Sequence, residues 1–439
     1  MKKVVSILVC IFILALFIAG CGSAKTDATK AEASAQPAAS TAAEPKKQEV
    51  PKKKAMVDIW ELEDNDTYMG KIVADFNSSQ QDITVNETKY PLNGYLEALK
   101  TAAGSNTLPD IWYIWGGSVG SFYAENGCAM DLTEYAKQHN WDKKFNPAGI
   151  NLSSYGGKLY GVPFHISGMS TFYNKSVFQK LNLQVPKSLD EFEACMQKMK
   201  DNGITPLAIG GKYSYMTMRF TEALLETFAG PELHDKLNNL QATWNCLEVV
   251  KTYAKLQEWV KKGYFAKGFV TLDAGELRPA FYKGQVGFTM EGQWIDDQAV
   301  KDGQDVNAYG FFPFPTGHTP LRISSFGNSY QVNAKSPKDK QDASLIFAEY
   351  FTDLKTLDKY ADVVTPLAVN GIKLPASKPH IKEVADALAA GNWLVSDQIM
   401  SQELKAKFNE AQDKVCLLEM TPEKAAEFMQ KSIEELKAK

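Results

Sequence analysis

The sequence predicts an α/β protein with two α/β domains. Short runs of β-branched and aromatic residues alternate with segments whose apolar residues recur at helical spacing. About 385 residues follow a polar N-terminal stretch, which is the usual size of two domains. Helical patterns dominate the last hundred or so residues. Together these features indicate layered strand–helix units in both halves of the folded part.

The first elements of the folded part alternate strictly. We expect a strand at 57–60, a helix at 68–76, a strand at 83–85, a helix at 95–103 and a strand at 110–115. Gly104 is a suitable residue to end the second helix. Trp112, inside the third strand, is expected in the core, and Gly116 and Gly117 end that strand. This order is typical of a βαβ layered domain.

The rest of the chain continues the alternation. Extended segments are expected at 159–164 and 169–173, and further helices at 240–254 and 343–354. Ser188 and Glu191 have the spacing of a capping box, so a helix should begin there. Pro422 follows Thr421 and predicts the start of a last helix.

The N-terminus predicts export and lipid attachment. Lys2 and Lys3 precede an apolar run that is short for a membrane span, so residues 1–20 are interpreted as a signal peptide. The run ends in Ile-Ala-Gly before Cys21, which resembles a bacterial lipobox and implies a diacylglyceryl anchor on Cys21. An uncleaved signal anchor is the alternative. Residues 21–55 are rich in Ala, Lys, Ser, Thr and Pro, which predicts a flexible tether on the outer face of the membrane.

Composition excludes several function classes. Net charge is −4 and no basic stripe with interleaved aromatic residues follows the tether, so nucleic-acid binding is not expected. The cysteines of the folded part (Cys128, Cys195, Cys246 and Cys416) form no C-x-x-C pair, which argues against zinc or dithiol chemistry. Buried free thiols are expected, although one disulfide is compatible with an exported chain. The histidines are scattered, so we expect neither a metal site nor a cofactor.

Five motifs occur in order along the folded part. They are Leu-Pro-Asp-Ile at 108–111, Gly-Lys-Leu-Tyr-Gly-Val-Pro at 157–163 with Tyr-Asn-Lys at 173–175, the capping-box segment at 186–192, Gly-Ile-Thr-Pro-Leu at 203–207, and the stretch from 281 to Gly-Gln-Trp at 292–294. Together they resemble the sugar-binding proteins of ABC importers, a family of extracellular solute-binding proteins. The segment at 186–192 departs from the usual pattern, because Ser188 and Leu189 replace Thr and Trp.

The resemblance implies a periplasmic-binding-protein-like fold, in which two α/β lobes joined by hinge strands close on a ligand like a Venus flytrap. The N-terminal lobe would comprise 56–165 and 326–368, and the C-terminal lobe 166–325 and 369–439. Crossings are expected near 165–170, 324–328 and 367–371, where glycines would suit hinges or ordinary turns. It also implies a carbohydrate ligand and permease subunits as partners of a monomer, and the lysine-rich, arginine-poor composition suits a Gram-positive source.

Sugar recognition uses aromatic rings on the apolar sugar faces and polar groups around the hydroxyl rim. Beyond the carboxyl ends of the first and third strands, the resemblance implies contacts from Glu61, Asp64, Trp115 and Gly117. The acidic run that holds Glu61 and Asp64 has an alternative interpretation as a solvated loop that caps the next helix. His165, at the first crossing, could bind a sugar hydroxyl and is a further candidate that ranks below the others, because a lone histidine is more often structural.

The C-terminal lobe would contribute aromatic contacts. Glu291 and Trp294 are the strongest candidates, because the tryptophan of this motif commonly stacks on sugar in the family. Tyr213 and Tyr215 alternate as on one face of an extended segment, and Trp393 follows a helix. Core packing is the alternative for these three. The chain has only three arginines (Arg219, Arg278 and Arg322), which favours a neutral sugar, because carboxylates and phosphates are usually held by arginine.

Two other functions remain open at this point. Paired carboxylates such as Glu61, Glu63 and Glu291 would suit an anchored glycosidase or lyase, but no catalytic motif supports it. The same binding fold could also present a ligand to a sensor system, and the sequence does not separate that role from import.

Overall fold

A computed structural model describes residues 54–63, 65 and 68–438. Its first elements are β1 (Ala55–Leu62), α1 (Met69–Ser79), β2 (Ile83–Tyr90), α2 (Tyr95–Ser105) and β3 (Ile111–Trp115). The predicted alternation is confirmed. Gly104 does not end α2, which continues to Ser105; Asn106 follows with a φ of 56° and closes the helix in the left-handed region. Cys21 and Asp64 lie outside the described residues.

The remaining elements continue in chain order through both halves. They are α3 (Ser118–Glu125), α4 (Thr133–Gln138), α5 (Trp141–Lys144), α6 (Pro147–Leu152), β4 (Ser154–Tyr155), β5 (Lys158–Leu159), β6 (Val162–Asn174), α7 (Lys175–Lys180), α8 (Leu189–Asp201), β7 (Thr205–Ala208), α9 (Tyr215–Asn238), α10 (Leu247–Lys261), α11 (Arg278–Tyr282), β8 (Val286–Gly292), α12 (Ile295–Lys301), β9 (Tyr309–Phe312), β10 (Ile323–Val332), α13 (Lys338–Phe351), α14 (Leu354–Lys359), α15 (Pro379–Ala390), β11 (Asn392–Leu394), α16 (Ser396–Ile399), α17 (Gln402–Cys416) and α18 (Pro422–Lys437).

Nine of the described strands form one continuous sheet in the order β2-β1-β3-β10-β6-β8-β7, with β11 paired to β10 and β9 paired to β6. β4 and β5 form a separate two-stranded sheet. At both ends the strands are parallel, as in β1 with β2 and β7 with β8. In the middle, β10 is antiparallel to β3 and to β6, and β6 is antiparallel to β8. Two parallel layered units are therefore joined through the long antiparallel pair β6 and β10.

Each of these two long strands passes from one hydrophobic core to another. Phe164 and Tyr330 belong to the core that covers β1, β2 and β3. Met169, on β6, belongs to the core around β7 and β8, and Ile323, on β10, to a third core that includes Phe281. The chain therefore has the two-lobed α/β fold, and the predicted limits at 165/166 and 325/326 fall within the spans that cross between cores. Those limits remain a prediction.

Several local predictions are corrected or refined by the structure. Residues 162–174 form one strand where two extended segments were expected. The helix predicted at 240–254 begins only at Leu247, because Leu240 adopts a φ of 57° outside any helix. The Ser188 side chain accepts from Glu191 N at 3.2 Å, as expected of a cap. The Glu191 carboxylate accepts from Lys187 N at 2.7 Å, one residue before the cap.

Trp112 is fully buried, as predicted. The cysteines in the described part of the chain are all free thiols, three of them buried and Cys246 partly exposed. Within residues 54–63, 65 and 68–438, every helix is too short or too polar to span a lipid bilayer.

Candidate functional site

Glu61 lies at the carboxyl end of β1 and is fully buried. Its Oε1 accepts from Leu62 N at 2.9 Å and from Asn65 Nδ2 at 2.6 Å, and its Oε2 accepts from the Tyr330 hydroxyl. Burial raises the pKa of this carboxyl to about 7, although the three hydrogen bonds oppose the rise. Both oxygens are thus engaged within the protein, so Glu61 braces the end of β1 rather than facing solvent.

Three side chains lie side by side across the middle of the sheet, and we call them the Trp115 row. Asn328 on β10 is paired with Trp115 on β3 and with His165 on β6. Residues directly opposite each other in antiparallel strands project from the same face of a sheet. The register shifts between Asn328 and Ser329, which adds local twist at this point. The fold therefore brings the predicted residues Trp115 and His165 to one place.

Two members of the Trp115 row are held by neighbouring residues and remain partly exposed. Trp115 and His165 are both partly exposed. The Trp115 ring packs 5.3 Å from Tyr113 and 6.3 Å from Tyr95, measured between centroids. Burial lowers the pKa of His165 to about 4, although a backbone hydrogen bond with Thr365 opposes the change, so this imidazole is neutral at pH 7.

Asn328 was not predicted as a site residue. It is 7 % exposed, and its Oδ1 has no hydrogen-bond partner among the described residues. A buried, unpaired amide oxygen is unusual and favours a ligand or water as its partner. The sequence placed Asn328 only in a hinge, because its position beside Trp115 depends on strand pairing that no spacing pattern reveals.

A second group surrounds Trp294, and we call it the Trp294 group. It consists of Tyr215, Arg219, Arg278, Glu291 and Trp294, which come from α9, α11 and the end of β8. Glu291 Oε2 accepts from Trp294 Nε1 at 2.9 Å and from Arg219 Nη1 at 3.0 Å. Arg278 Nη2 lies 3.5 Å from Glu291 Oε1. The structure thus unites three predicted residues with two arginines.

Trp294 itself is partly exposed, and its position follows from the chain around it. A Cβ on Gly292 would lie 2.1 Å from the Trp294 ring, so only glycine lets the ring fold back over the end of β8. Phe326 on β10 lies 5.6 Å from the ring centroid, which connects the tryptophan to the central strand pair.

Tyr68 and Lys378 lie near the two groups. The Tyr68 ring lies 6.2 Å from His165, and burial together with the Glu61 carboxyl raises the pKa of this tyrosine. Lys378, which is buried, donates to Asp297, three residues after Trp294, and to the carbonyl oxygen of Asp362. It therefore links two distant segments of the chain.

The other predicted residues occupy different surroundings. Tyr213 is 38 % exposed beside Lys212, and Tyr215 begins α9, so the extended segment expected for the pair was wrong. Trp393 is buried, and its ring lies 5.3 Å from His234 and 5.9 Å from the guanidinium carbon of Arg322.

Gly117 marks a close approach between α3 and α16. It has a φ of 63°, and a Cβ on it would lie 2.0 Å from the carbonyl oxygen of Gln398. Gln398 in turn exchanges two hydrogen bonds of 3.0 Å with Gly327 on β10. Gly117 therefore allows the segment after β11 to pack against the end of β3.

Chemically, the site offers partly exposed aromatic rings, a neutral imidazole and an unpaired amide oxygen. The acidic groups Glu61 and Glu291 are both engaged by partners within the protein. Such an arrangement is suited to binding a polyhydroxylated molecule with apolar faces.

Similarity to known proteins points in one direction. Residues 60–400 match the family described as bacterial extracellular solute-binding protein. A probable sugar-binding periplasmic protein of Mesorhizobium japonicum is 34% identical over 347 residues, which cover 71% of this chain and 82% of that protein. An uncharacterised ABC transporter extracellular-binding protein of Pyrococcus horikoshii is 28% identical over 261 residues, which cover 58% of this chain but only 59% of that protein.

A solved structure shares the fold. A chitin oligosaccharide binding protein superposes with a TM-score of 0.79 at 22% identity and covers 88% of this chain and 100% of its own length. The family match spans most of the sequence, both predicted lobes and the ordered motifs. This chain belongs to the bacterial extracellular solute-binding protein family.

Proposed function

We propose that this chain binds a mono- or oligosaccharide between the Trp115 row and the Trp294 group and delivers it to the membrane permease of an ABC importer. The observation that carries the proposal is the placement of two partly exposed tryptophans on either side of the strand pair β6 and β10. Rings of this kind can stack on the two faces of a sugar. The names of the Mesorhizobium relative and of the chitin oligosaccharide binding protein support the same ligand class.

The proposal assigns roles to the candidate residues. Trp294 and Trp115 stack on the ligand, and His165 and Asn328 bind its hydroxyls. Glu61 and Glu291 hold neighbouring site residues in place and do not bind the ligand directly, because their oxygens already accept hydrogen bonds within the protein. Asp64, Gly117, Tyr213, Tyr215 and Trp393 remain candidates for further contacts of a longer ligand.

A neutral saccharide fits the charges of the site. Arg219 and Arg278 both pair with Glu291, so the positive charge beside Trp294 is partly balanced within the protein. Arg322 pairs with Glu226 and Asp235 in a different place. We therefore expect neutral sugars to bind more tightly than uronic acids or sugar phosphates.

Calorimetric titration of the mature chain tests this proposal. The panel would contain neutral mono- and oligosaccharides, uronic acids and short peptides, each at the same concentrations. Saturable binding of at least one neutral saccharide is the expected result. Binding of peptides together with a lack of response to every sugar would refute the proposal.

The same preparation separates binding from catalysis. Members of the family serve transporters and are not enzymes, and we propose that this chain likewise leaves its ligand intact. Incubation with a labelled oligosaccharide should return it unchanged, and turnover would instead favour the glycosidase alternative. A role in presenting the ligand to a sensor would be favoured by a sensor gene beside this one, in place of permease genes.

We also propose that Cys21 carries a lipid that holds the chain on the outer face of the membrane as a monomer. The lipobox-like Ile-Ala-Gly-Cys and the tether of residues 21–55 support this. Replacement of Cys21 by Ala should abolish incorporation of a labelled fatty acid into the protein, as metabolic labelling and immunoprecipitation would reveal. Equal labelling of wild type and Cys21→Ala would contradict a lipid anchor at this position.

A further inference from the structure

Arg219 has an unusual environment for a charged side chain, because it is only 7 % exposed and lies between two aromatic rings. We infer that Arg219 and Glu291 are positioning residues that fix the Trp294 ring and do not touch the ligand themselves. This inference rests on the proposed function, in which the Trp294 ring stacks on a saccharide.

The hydrogen bonds around Trp294 converge on one carboxylate oxygen. Glu291 Oε2 accepts from Trp294 Nε1 at 2.9 Å and from Arg219 Nη1 at 3.0 Å. Arg219 Nη1 also donates to the carbonyl oxygen of Met290 at 2.7 Å, which attaches it to the backbone of β8. The indole is therefore held in its plane by a charge-assisted network that is anchored to the strand.

The face of the indole is fixed by the same arginine. The guanidinium carbon of Arg219 lies 5.3 Å from the Trp294 ring and 5.4 Å from the Tyr215 ring. These distances are within the range of cation–π attraction, which is stronger where water is excluded. Arg219 covers one face of the Trp294 ring, and Gly292, which has no side chain, lets the ring pack closely against the end of β8. Only the part of the ring that remains exposed is available to a ligand.

The second oxygen of Glu291 is engaged as well. Arg278 Nη2 lies 3.5 Å from Glu291 Oε1, and the Glu291 side chain is only 5% exposed. A sugar hydroxyl would have to displace an arginine to reach this carboxylate. The expected direct contact of Glu291 with the ligand is therefore replaced here by an indirect role through Trp294.

Fluorine NMR of the full mature chain labelled with 5-fluorotryptophan tests the inference. Trp294→Phe identifies the Trp294 resonance. We expect Arg219→Met and Glu291→Gln to shift or broaden that resonance, and Arg219→Lys to restore part of its position because it returns the charge. Affinity for the saccharide bound best by wild type should fall about tenfold in Arg219→Met, because the ligand must then immobilise a ring that Arg219 no longer holds in place.

The matched control is Lys262→Met, because Lys262 lies 5.7 Å over the Tyr264 ring and pairs with Glu258 at 2.6 Å on another surface. It should leave both the Trp294 resonance and the affinity unchanged. If Arg219→Met fails to fold, two milder variants test the inference in its place. Glu291→Gln preserves the shape of the side chain, and Arg219→Lys preserves the charge.

Two results would overturn the inference. An unmoved Trp294 resonance in Arg219→Met and Glu291→Gln would show that neither residue positions the ring. A loss of affinity in Arg219→Met with no loss in Trp294→Phe would show that Arg219 contacts the ligand directly. If wild type binds no saccharide at all, the proposed function fails, while the resonance in the unliganded protein still tests the positioning role.

Discussion

At the scale of single residues, burial and unpaired polar atoms say more about function than residue type does. The sequence predicted Trp115, His165 and Trp294 as site residues, and the structure gives each a partly exposed position near the central strands. It did not predict Asn328 or Arg219. Arg219 lies 72 residues before Glu291 in the chain, and no local pattern reports a contact over such a separation.

Asn328→Ala tests the unpaired amide in the Trp115 row. We expect the affinity for saccharide to fall about fivefold, because one hydrogen bond is worth about 1 kcal/mol. Asn409→Ala is the matched control, since the Asn409 Oδ1 is also buried without a partner in the described part of the chain but lies on α17. Titration calorimetry of both variants decides. Equal affinities would remove Asn328 from the site.

Glu222 on α9 is fully buried, and this raises its pKa to about 8. Its Oε1 accepts from Ser396 N at 2.5 Å, whereas its Oε2 has no partner among residues 54–63, 65 and 68–438. The folded protein keeps this proton up to about pH 8, and the unfolded chain loses it near pH 4.5. Between those two pH values, the titration of Glu222 therefore makes the free energy of unfolding fall as the pH rises, by up to about 1.4 kcal/mol per pH unit.

Glu222→Gln should remove that dependence, because the amide keeps the shape and an acceptor oxygen without an acidic proton. Urea unfolding at pH 5 and pH 8 provides the measurement. We expect the variant to gain stability relative to wild type as the pH rises. A constant difference between the two proteins at both pH values would show that Glu222 does not titrate in this range.

At the scale of helices and strands, the elements with a clear period were predicted and those without one were not. The helix after Ser188 was predicted from its capping box and the helix after Thr421 from Pro422 at its start, and both form where expected. α9 was missed because residues 216–226 are all buried, so its sequence has no polar face to reveal the helical period.

The packing of α3 against α16 depends on Gly117. Gly117→Ala should lower the free energy of unfolding by about 2 kcal/mol or more, because it adds a clash with the Gln398 carbonyl to a strained positive φ. Gly127→Ala is the matched control. Gly127 also has a φ of 63°, but no atom lies within 4 Å of its added Cβ, so only the backbone strain of about 1 kcal/mol is expected. Urea unfolding compares them, and equal losses would contradict a close approach at Gly117.

At the scale of the whole molecule, the two-lobed fold could be predicted because the motifs occur in order along most of the chain. The structure adds that the predicted crossings at 165–170 and 324–328 lie side by side, since β6 and β10 pair from Ser324 with Met169 to Asn328 with His165. How the loops of the two halves meet depends on contacts such as Lys378 with Asp297 and Asp362. Such contacts join distant parts of the chain and leave no local pattern in the sequence.

The central claim is the proposal that a saccharide binds between the Trp115 row and the Trp294 group, against Trp294. Titration calorimetry of wild type and Trp294→Ala with the best-bound neutral saccharide of the panel tests it most directly. We predict an affinity about 30-fold weaker for the variant, the loss expected when a central aromatic contact of about 2 kcal/mol is removed. The same affinity in both proteins, at equal stability in urea, would contradict the account.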